Sequence, residues 1–222
     1  MKLRLSKKSN QAWTITDIVV VIVVIIVLAA LLLPVISAAK RHALRMKCAD
    51  NLKQITLACR DWEGDNNNEY PMTISVTNGG AREMVAVGDV AHCFQVMSNE
   101  LIFPKYLICP ADRERVPATN FTADFNNSHI SYFINPDANE MYPQEVLLGD
   151  DNLAVNGVPV KSGLLELSTN AQVTFTADRH RYVGNISYSD GSISEVSSSG
   201  LQSSFILSVQ GTPKTTNCLA IP

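Results

Sequence analysis

Hydrophobic and polar positions divide the chain into three stretches. From Ile18 to Leu33 there is no polar side chain, and fourteen of the sixteen residues are Ile, Leu or Val. From Leu44 the apolar positions become periodic. Leu44, Cys48, Leu52, Ile55, Cys59 and Trp62 follow at spacings of 4, 4, 3, 4 and 3, which is one stripe of a helix. Lys40, Arg41, Arg45, Lys47, Asp50, Lys53, Arg60 and Asp61 fall mostly on its other faces, and the basic run at its start reads as a solvated or inter-subunit face. Gly64-Asp65-Asn66-Asn67-Asn68 supplies the turn formers that end it.

Beyond residue 72 no long helical period appears, and Pro and Gly punctuate the chain. Phe94–Leu101 reads as a short helix. Lys105–Asp112, His129–Ile134, Glu145–Asp150 and Gln172–Thr176 read as strands. Gly184–Val196 alternates apolar and polar residues on both sides of Asp190-Gly191, a dipeptide that accepts φ > 0, and predicts a tight hairpin. The polar run Asp150-Asp151-Asn152 reads as a solvated turn. The expected fold is α+β: a long N-terminal helix, half membrane-spanning and half amphipathic, packed on a mostly antiparallel sheet.

The apolar run decides the first half of that helix. At roughly −0.3 to −0.6 kcal/mol per Ile, Leu or Val, it favours insertion into a bilayer by about 4–8 kcal/mol. Its sixteen residues span about 24 Å as helix, and continuation through Pro34 to Ala39 completes a bilayer crossing. Ten of the sixteen are β-branched, a composition that weakens a helix in water. In lipid the backbone must satisfy itself, so helix is the only single-segment solution. A secretory signal peptide has a shorter apolar core and a small-residue cleavage site after it, for which Ser37-Ala38-Ala39 is the nearest match.

Charge adds an orientation. Residues 1–12 hold Lys2, Arg4, Lys7 and Lys8 and no acid, leaving 14 basic against 21 acidic residues, or −7, for the remainder. Positive charge before the apolar run keeps the N-terminus cytoplasmic and sends the body across the membrane. An acidic body excludes nucleic acid as a partner, since phosphate binding needs a basic face.

Chemistry is sparse. The five cysteines, Cys48, Cys59, Cys93, Cys109 and Cys218, cannot all pair internally. Cys48 and Cys59 stand eleven residues apart on one helix, about 16 Å of rise and too far for a disulfide. In an oxidising compartment Cys93 and Cys109 are the expected pair. No local Cys or His spacing points to zinc. Arg179-His180-Arg181 beside Asp178 has the groups for acid–base work, but no nucleophile motif, paired carboxylate or phosphate loop accompanies them, so a structural role is expected for His180 and no enzyme activity for the chain. Asp178, Asp190 and Glu195 supply oxygen donors of the kind calcium takes, without diagnostic spacing. No other cofactor is indicated.

The segment Gln11-Ala12-Trp13-Thr14-Ile15-Thr16-Asp17 resembles the processing signal of type IV pilins and type II secretion pseudopilins. In that family a basic leader ends in a small residue, an aromatic residue begins the mature chain, a carboxylate stands fifth, and a helix-kinking Pro commonly stands twenty-second. Counted from Trp13, Asp17 is fifth and Pro34 is twenty-second. Ala12, Trp13 and Asp17 replace the usual Gly, Phe and Glu, and each keeps the physical type. His180, followed after nine residues by Asp190-Gly191, resembles the His-x9-Asp-Gly pattern of prepilin-type proteins numerous in Verrucomicrobia and Planctomycetes. Asn51–Ile55, Gly64-Asp65-Asn66, Tyr70-Pro71, Cys109-Pro110 and Ser131-Tyr132 extend the likeness.

The resemblance implies a basic leader (1–12), the membrane half of the helix (13–39), its amphipathic half (40–63) and a periplasmic β-rich domain (64–222). It implies a pilin-like structural subunit in the inner membrane, cut by a prepilin peptidase between Ala12 and Trp13 and methylated there. It would be assembled through Asp17 and Pro34 into a type II secretion or type IV pilus-like filament. Its partners would be other pilin-like subunits, the prepilin peptidase and an inner-membrane platform. The alternative is a periplasmic binding or sensing protein that uses the same anchor and never polymerises.

Overall fold

The computed structural model describes residues 15–122 and 124–222. Its first element, α1, runs unbroken from Ile15 to Asp65, 51 residues. It passes through two compact units, one ending at His42 and one covering Ala43–Pro222. In the first unit α1 exposes apolar side chains on every face: Val20, Val24, Leu28, Leu31 and Ile36 are all about half exposed or more. This helix is long and apolar enough to cross a membrane. Pro34 lies inside it. Pro34 has no N–H to give the Ala30 carbonyl, and the helix continues nonetheless. Ser37 Oγ donates to the Pro34 carbonyl at 2.9 Å, and Arg41 Nη1 donates to Ser37 Oγ at 3.3 Å.

From Ala43 onward α1 becomes one-sided. Cys48, Leu52, Ile55, Cys59 and Trp62 are buried, so the predicted stripe is the packing face. Each Leu or Ile so buried contributes about 1.5–3 kcal/mol. The helix ends at Asp65, after which Asn67 and Asn68 take positive φ, a conformation Asn tolerates better than most residues.

Three short helices follow: α2 (Arg82–Val85), α3 (Val90–Val96) and α4 (Ser98–Leu101). The short helix predicted over Phe94–Leu101 is thus the end of α3 plus α4. The strand predicted over Lys105–Asp112 is not formed. Pro104 opens a 3-10 turn through Leu107 instead, a position where its fixed φ is an advantage.

The remaining chain is mostly β. A six-stranded antiparallel sheet has the order β5-β9-β1-β2-β7-β8. Its strands are β1 (Tyr132–Ile134), β2 (Val146–Asp150), β5 (Gly163–Ser168), β7 (Val183–Tyr188), β8 (Ile193–Ser197) and β9 (Thr216–Ile221). A smaller antiparallel sheet joins β3 (Leu153–Val155), β4 (Val158–Pro159) and β6 (Val173–Phe175). A helix the periodicity did not predict, α5 (Ser198–Val209), precedes β9.

Two hydrophobic clusters flank the large sheet. One joins the α1 stripe with Tyr132, Ile134 and Leu148. The other joins Phe133, Val146 and Ile186 with Leu201 and Phe205 of α5. Strand alternation requires residues two apart to share a face, yet Val146 and Leu148 belong to opposite clusters. The β2–β7 register shifts between these two residues, and such a bulge reverses the alternation. The consequence reaches Asp150. Leu148 pairs with Ile134, Gly149 with Phe133 and Asp150 with Tyr132, so Asp150 shares the face that meets α1.

Candidate functional site

Ala12 and Trp13 lie outside the described residues. Asp17 stands in the first turn of α1, where a carboxylate suits the positive end of the helix dipole.

His180 and Asp190-Gly191 hold different parts of the domain. Asp190-Gly191 forms the tip of the predicted hairpin, with Gly191 at φ +86° and the Ser192 N–H donating to Asp190 Oδ1 at 2.8 Å. The loop has three residues between Tyr188 and Ser192, with Gly in the left-handed position. Arg60 of α1 donates to the Asp190 carbonyl, and Tyr70 Oη donates to the Ser189 carbonyl at 3.2 Å. Midway along the β7–β8 ladder Arg45 pairs with Glu195 at 3.0 Å. Glu195 lies opposite Asn185 in the β7–β8 ladder, several pairs from the Asp190 turn. Asp190 and Glu195 therefore stand apart, and among the described residues Asp178 does not join them in a group that could hold a calcium ion.

His180 sits in the β6–β7 loop, just before Arg181 and Tyr182, both at positive φ. It is buried, and it meets three other buried groups: Cys48 from α1, Cys109 after the 3-10 turn and Asp150 at the end of β2. Their ligand atoms all lie within 4.8 Å of one another. Cys48 Sγ donates to Asp150 Oδ1 at 3.1 Å, Cys109 Sγ lies 3.1 Å from His180 Nε2, and His180 Nε2 lies 3.9 Å from Asp150 Oδ2. Tyr132 Oη is 3.2 Å from Cys48 Sγ. Asp150 Oδ2 also accepts from the Asn185 backbone N–H at 2.7 Å and from Asn185 Nδ2 at 3.2 Å. Cys48, Cys109 and Asp150 have 0% exposure and His180 7%. All five cysteines are free thiols, and the partner that the fold brings to Cys109 is Cys48 rather than Cys93.

The electrostatics of the four groups are divided. Burial pushes the Cys48 thiol well above its ordinary range. Cys109 moves the other way, to about 7, because Cys48 and His180 both hydrogen-bond its sulfur. Burial raises the Asp150 carboxyl against the pull of His180 and the Asn185 donors. Burial disfavours a charged His180, but Cys109 and Asp150 outweigh it, so the imidazole lies above its usual value.

A charged network adjoins the cluster. Arg179 Nη2 bridges Asp112 at 2.9 Å and Asp151 at 2.6 Å, and its Nη1 donates to the Ser131 carbonyl at 2.8 Å. Arg115 meets Asp151 at 2.5 Å. Ser131 Oγ donates to Asp112 at 2.8 Å. Burial raises the Asp112 carboxyl, but Arg179 and the hydrogen bonds outweigh it, leaving it below its ordinary value. Asp150, Asp151 and Asn152 are thus buried, not the solvated turn expected. The network forms one wall of a cleft of about 550 Å³, lined also by Asp178 and Lys161.

Cys48, Cys109, Asp150 and His180 come from four separate segments, so no short motif announces them. The available signals were Cys48 in the apolar stripe of α1 and the His180 pattern. No family model, curated protein or solved structure matches the chain.

Proposed function

We propose that the chain is a pilin-like structural subunit, anchored in the inner membrane by the first half of α1 and assembled through that helix into a type II secretion or type IV pilus-like filament. The observation that carries this reading is one helix with two kinds of surface. Up to His42 its apolar side chains are exposed on all sides, and from Cys48 one stripe is buried in a β-rich domain. A helix apolar all round needs lipid or other helices around it. A filament core of bundled helices meets that need once the subunit leaves the bilayer. The resemblance of residues 11–17, Pro34 and the His180–Asp190-Gly191 pattern supports the same reading. Orientation follows from the leader charges, with the domain in the periplasm.

The test has two arms in cells expressing the full chain with its own secretion genes. Mass determination of the mature N-terminus is expected to show a chain beginning at methylated Trp13. A photo-crosslinker at Val23 or Leu28 is expected to join copies of α1, or α1 to other pilin-like subunits. A retained leader with no helix–helix crosslink would overturn the proposal in favour of a non-polymerising anchored protein.

A further inference from the structure

We infer that Cys48, Cys109, Asp150 and His180 form a closed tetrahedral centre for one zinc ion, which fastens α1 to the sheet. The donors are two sulfurs, one imidazole nitrogen and one carboxylate oxygen, the set that zinc takes in protein sites. Zinc bonds of about 2.3 Å to sulfur and about 2.0–2.1 Å to nitrogen or oxygen place neighbouring ligand atoms about 3.3–3.8 Å apart. Cys109 Sγ and His180 Nε2 stand 3.1 Å apart, the Asp150 carboxylate offers Oδ1 at 3.1 Å from Cys48 Sγ and Oδ2 at 3.9 Å from His180 Nε2, and one ligand atom from each of the four residues lies within 4.8 Å of the others. Small movements close a tetrahedron.

The surroundings suit a metal centre. Asp150 is oriented by both donors of Asn185, and Cys48 by Tyr132 Oη. Such outer contacts fix ligands before the ion arrives. All four ligands come from the protein and are buried, which is the closed arrangement of a structural site. Two thiolates and a carboxylate around a divalent ion leave one negative charge, and the Arg179 guanidinium lies close enough to stabilise both Asp150 and Cys109. The four segments joined are α1, the loop before β1, the end of β2 and the β6–β7 loop. The centre therefore holds the α1 stripe at its first fully buried position. The inference does not depend on filament assembly.

The test uses the full chain purified in detergent without chelator. Elemental analysis is expected to give about one zinc per chain, and all five cysteines are expected to titrate as thiols after denaturation with a chelator. Replacement of zinc by cobalt(II) is expected to give the intense visible bands of a tetrahedral site and a thiolate charge-transfer band. Cys109→Ser and His180→Ala should each reduce zinc content at least tenfold, while Cys218→Ser leaves it unchanged. Should those two variants fail to fold, the cobalt spectrum of the unsubstituted chain decides. A Cys48–Cys109 disulfide in peptide mass mapping, or reduced thiols with neither zinc nor a cobalt spectrum, would overturn the inference.

Discussion

Arg60 of α1 donates to the backbone carbonyl of Asp190, and the Gly191 Cα faces the same guanidinium. A Cβ at Gly191 would stand 3.0 Å from Arg60 Nη1. The hairpin tip is thereby tied to α1 twelve residues beyond Cys48, about 18 Å along the helix. The six residues of β7 cover about 20 Å. His180 and Asp190-Gly191 thus attach the two ends of one strand to two points on one helix, and the six residues of β7 between them match the helix length they span.

Gly191→Ala tests that attachment. The left-handed φ costs an L-residue about 1–2 kcal/mol, while the Arg60 side chain can shift to admit the methyl. The variant is expected to lose that amount in urea unfolding followed by tryptophan fluorescence. Arg60→Ala removes one exposed hydrogen bond and should cost less, about 0.5–1 kcal/mol. An unchanged midpoint in Gly191→Ala would show that the turn does not require glycine.

Gly149→Ala probes the sheet core. A Cβ there would lie 2.7 Å from the Phe133 ring and 3.0 Å from Ile186 Cγ2, both fully buried. Overpacking of this kind costs about 1–3 kcal/mol. Adding Phe133→Leu should recover part of the loss, because it vacates the space the methyl needs. A non-additive double-mutant cycle in urea denaturation is the expected result.

Arg179→Met tests the buried network. It leaves Asp112 and Asp151, whose side chains are 3% and 2% exposed, short of their main cation. Removing one partner of a buried ion pair costs about 3–5 kcal/mol. Arg179→Lys is expected to rescue only part of this, since one ammonium cannot reproduce the fork that reaches Asp112, Asp151 and the Ser131 carbonyl at once. Thermal unfolding of the three proteins at one pH gives the ranking.

Glu63 predicts a pH dependence. Burial, with the Glu140 carboxylate beside it, raises its pKa from 4.5 to about 7, against the opposing pull of Arg60 and the Tyr70 hydroxyl. The folded state therefore holds a proton that the unfolded chain releases between about pH 4.5 and 7. The unfolded state binds fewer protons in that window, so this group's contribution falls as pH rises through it and levels off above. Glu63→Gln should raise stability at pH 8, change it little at pH 4, and flatten the profile between. Equal effects at both pH values would remove Glu63 from the account.

The legible parts of the fold were those in which side-chain type and backbone period agree. The α1 stripe from Leu44 to Trp62 and the hairpin around Asp190-Gly191 are of this kind. Helix α5 was not legible because serines share its inner face. Leu201, Ser204, Phe205 and Ser208 are its buried residues. Ser204 Oγ pairs with Tyr188 Oη at 2.8 Å, and Ser208 Oγ accepts from the Val146 N–H at 3.1 Å. Hydrogen bonds replace apolar contacts there, and the apolar period is lost. Asp150 was misread for a related reason. Its neighbours make a polar run, but the bulge between Val146 and Leu148 and the pairing with Tyr132 turn it inward. Burial of a carboxylate depends on partners from distant segments, which no local pattern records.

Asp17 stands beside the apolar run, in the first turn of α1. Holding a carboxylate at the edge of lipid is expensive. In the proposed filament the new α-amine at Trp13 of a neighbouring subunit offsets that cost, and it does so only at one axial offset between helices. The pair then acts as a register device, the best-attested use of such charges. Asp17→Ala removes the charge, leaves Ile18–Leu33 intact, and should insert as well as the unsubstituted chain. It should nonetheless fail to enter filaments or support secretion. Asp17→Glu keeps the charge with one more methylene and should assemble. Carbonate extraction reports insertion, and sheared-filament or secretion assays report assembly. Filaments formed normally by Asp17→Ala would separate the anchor from any role of this residue in register.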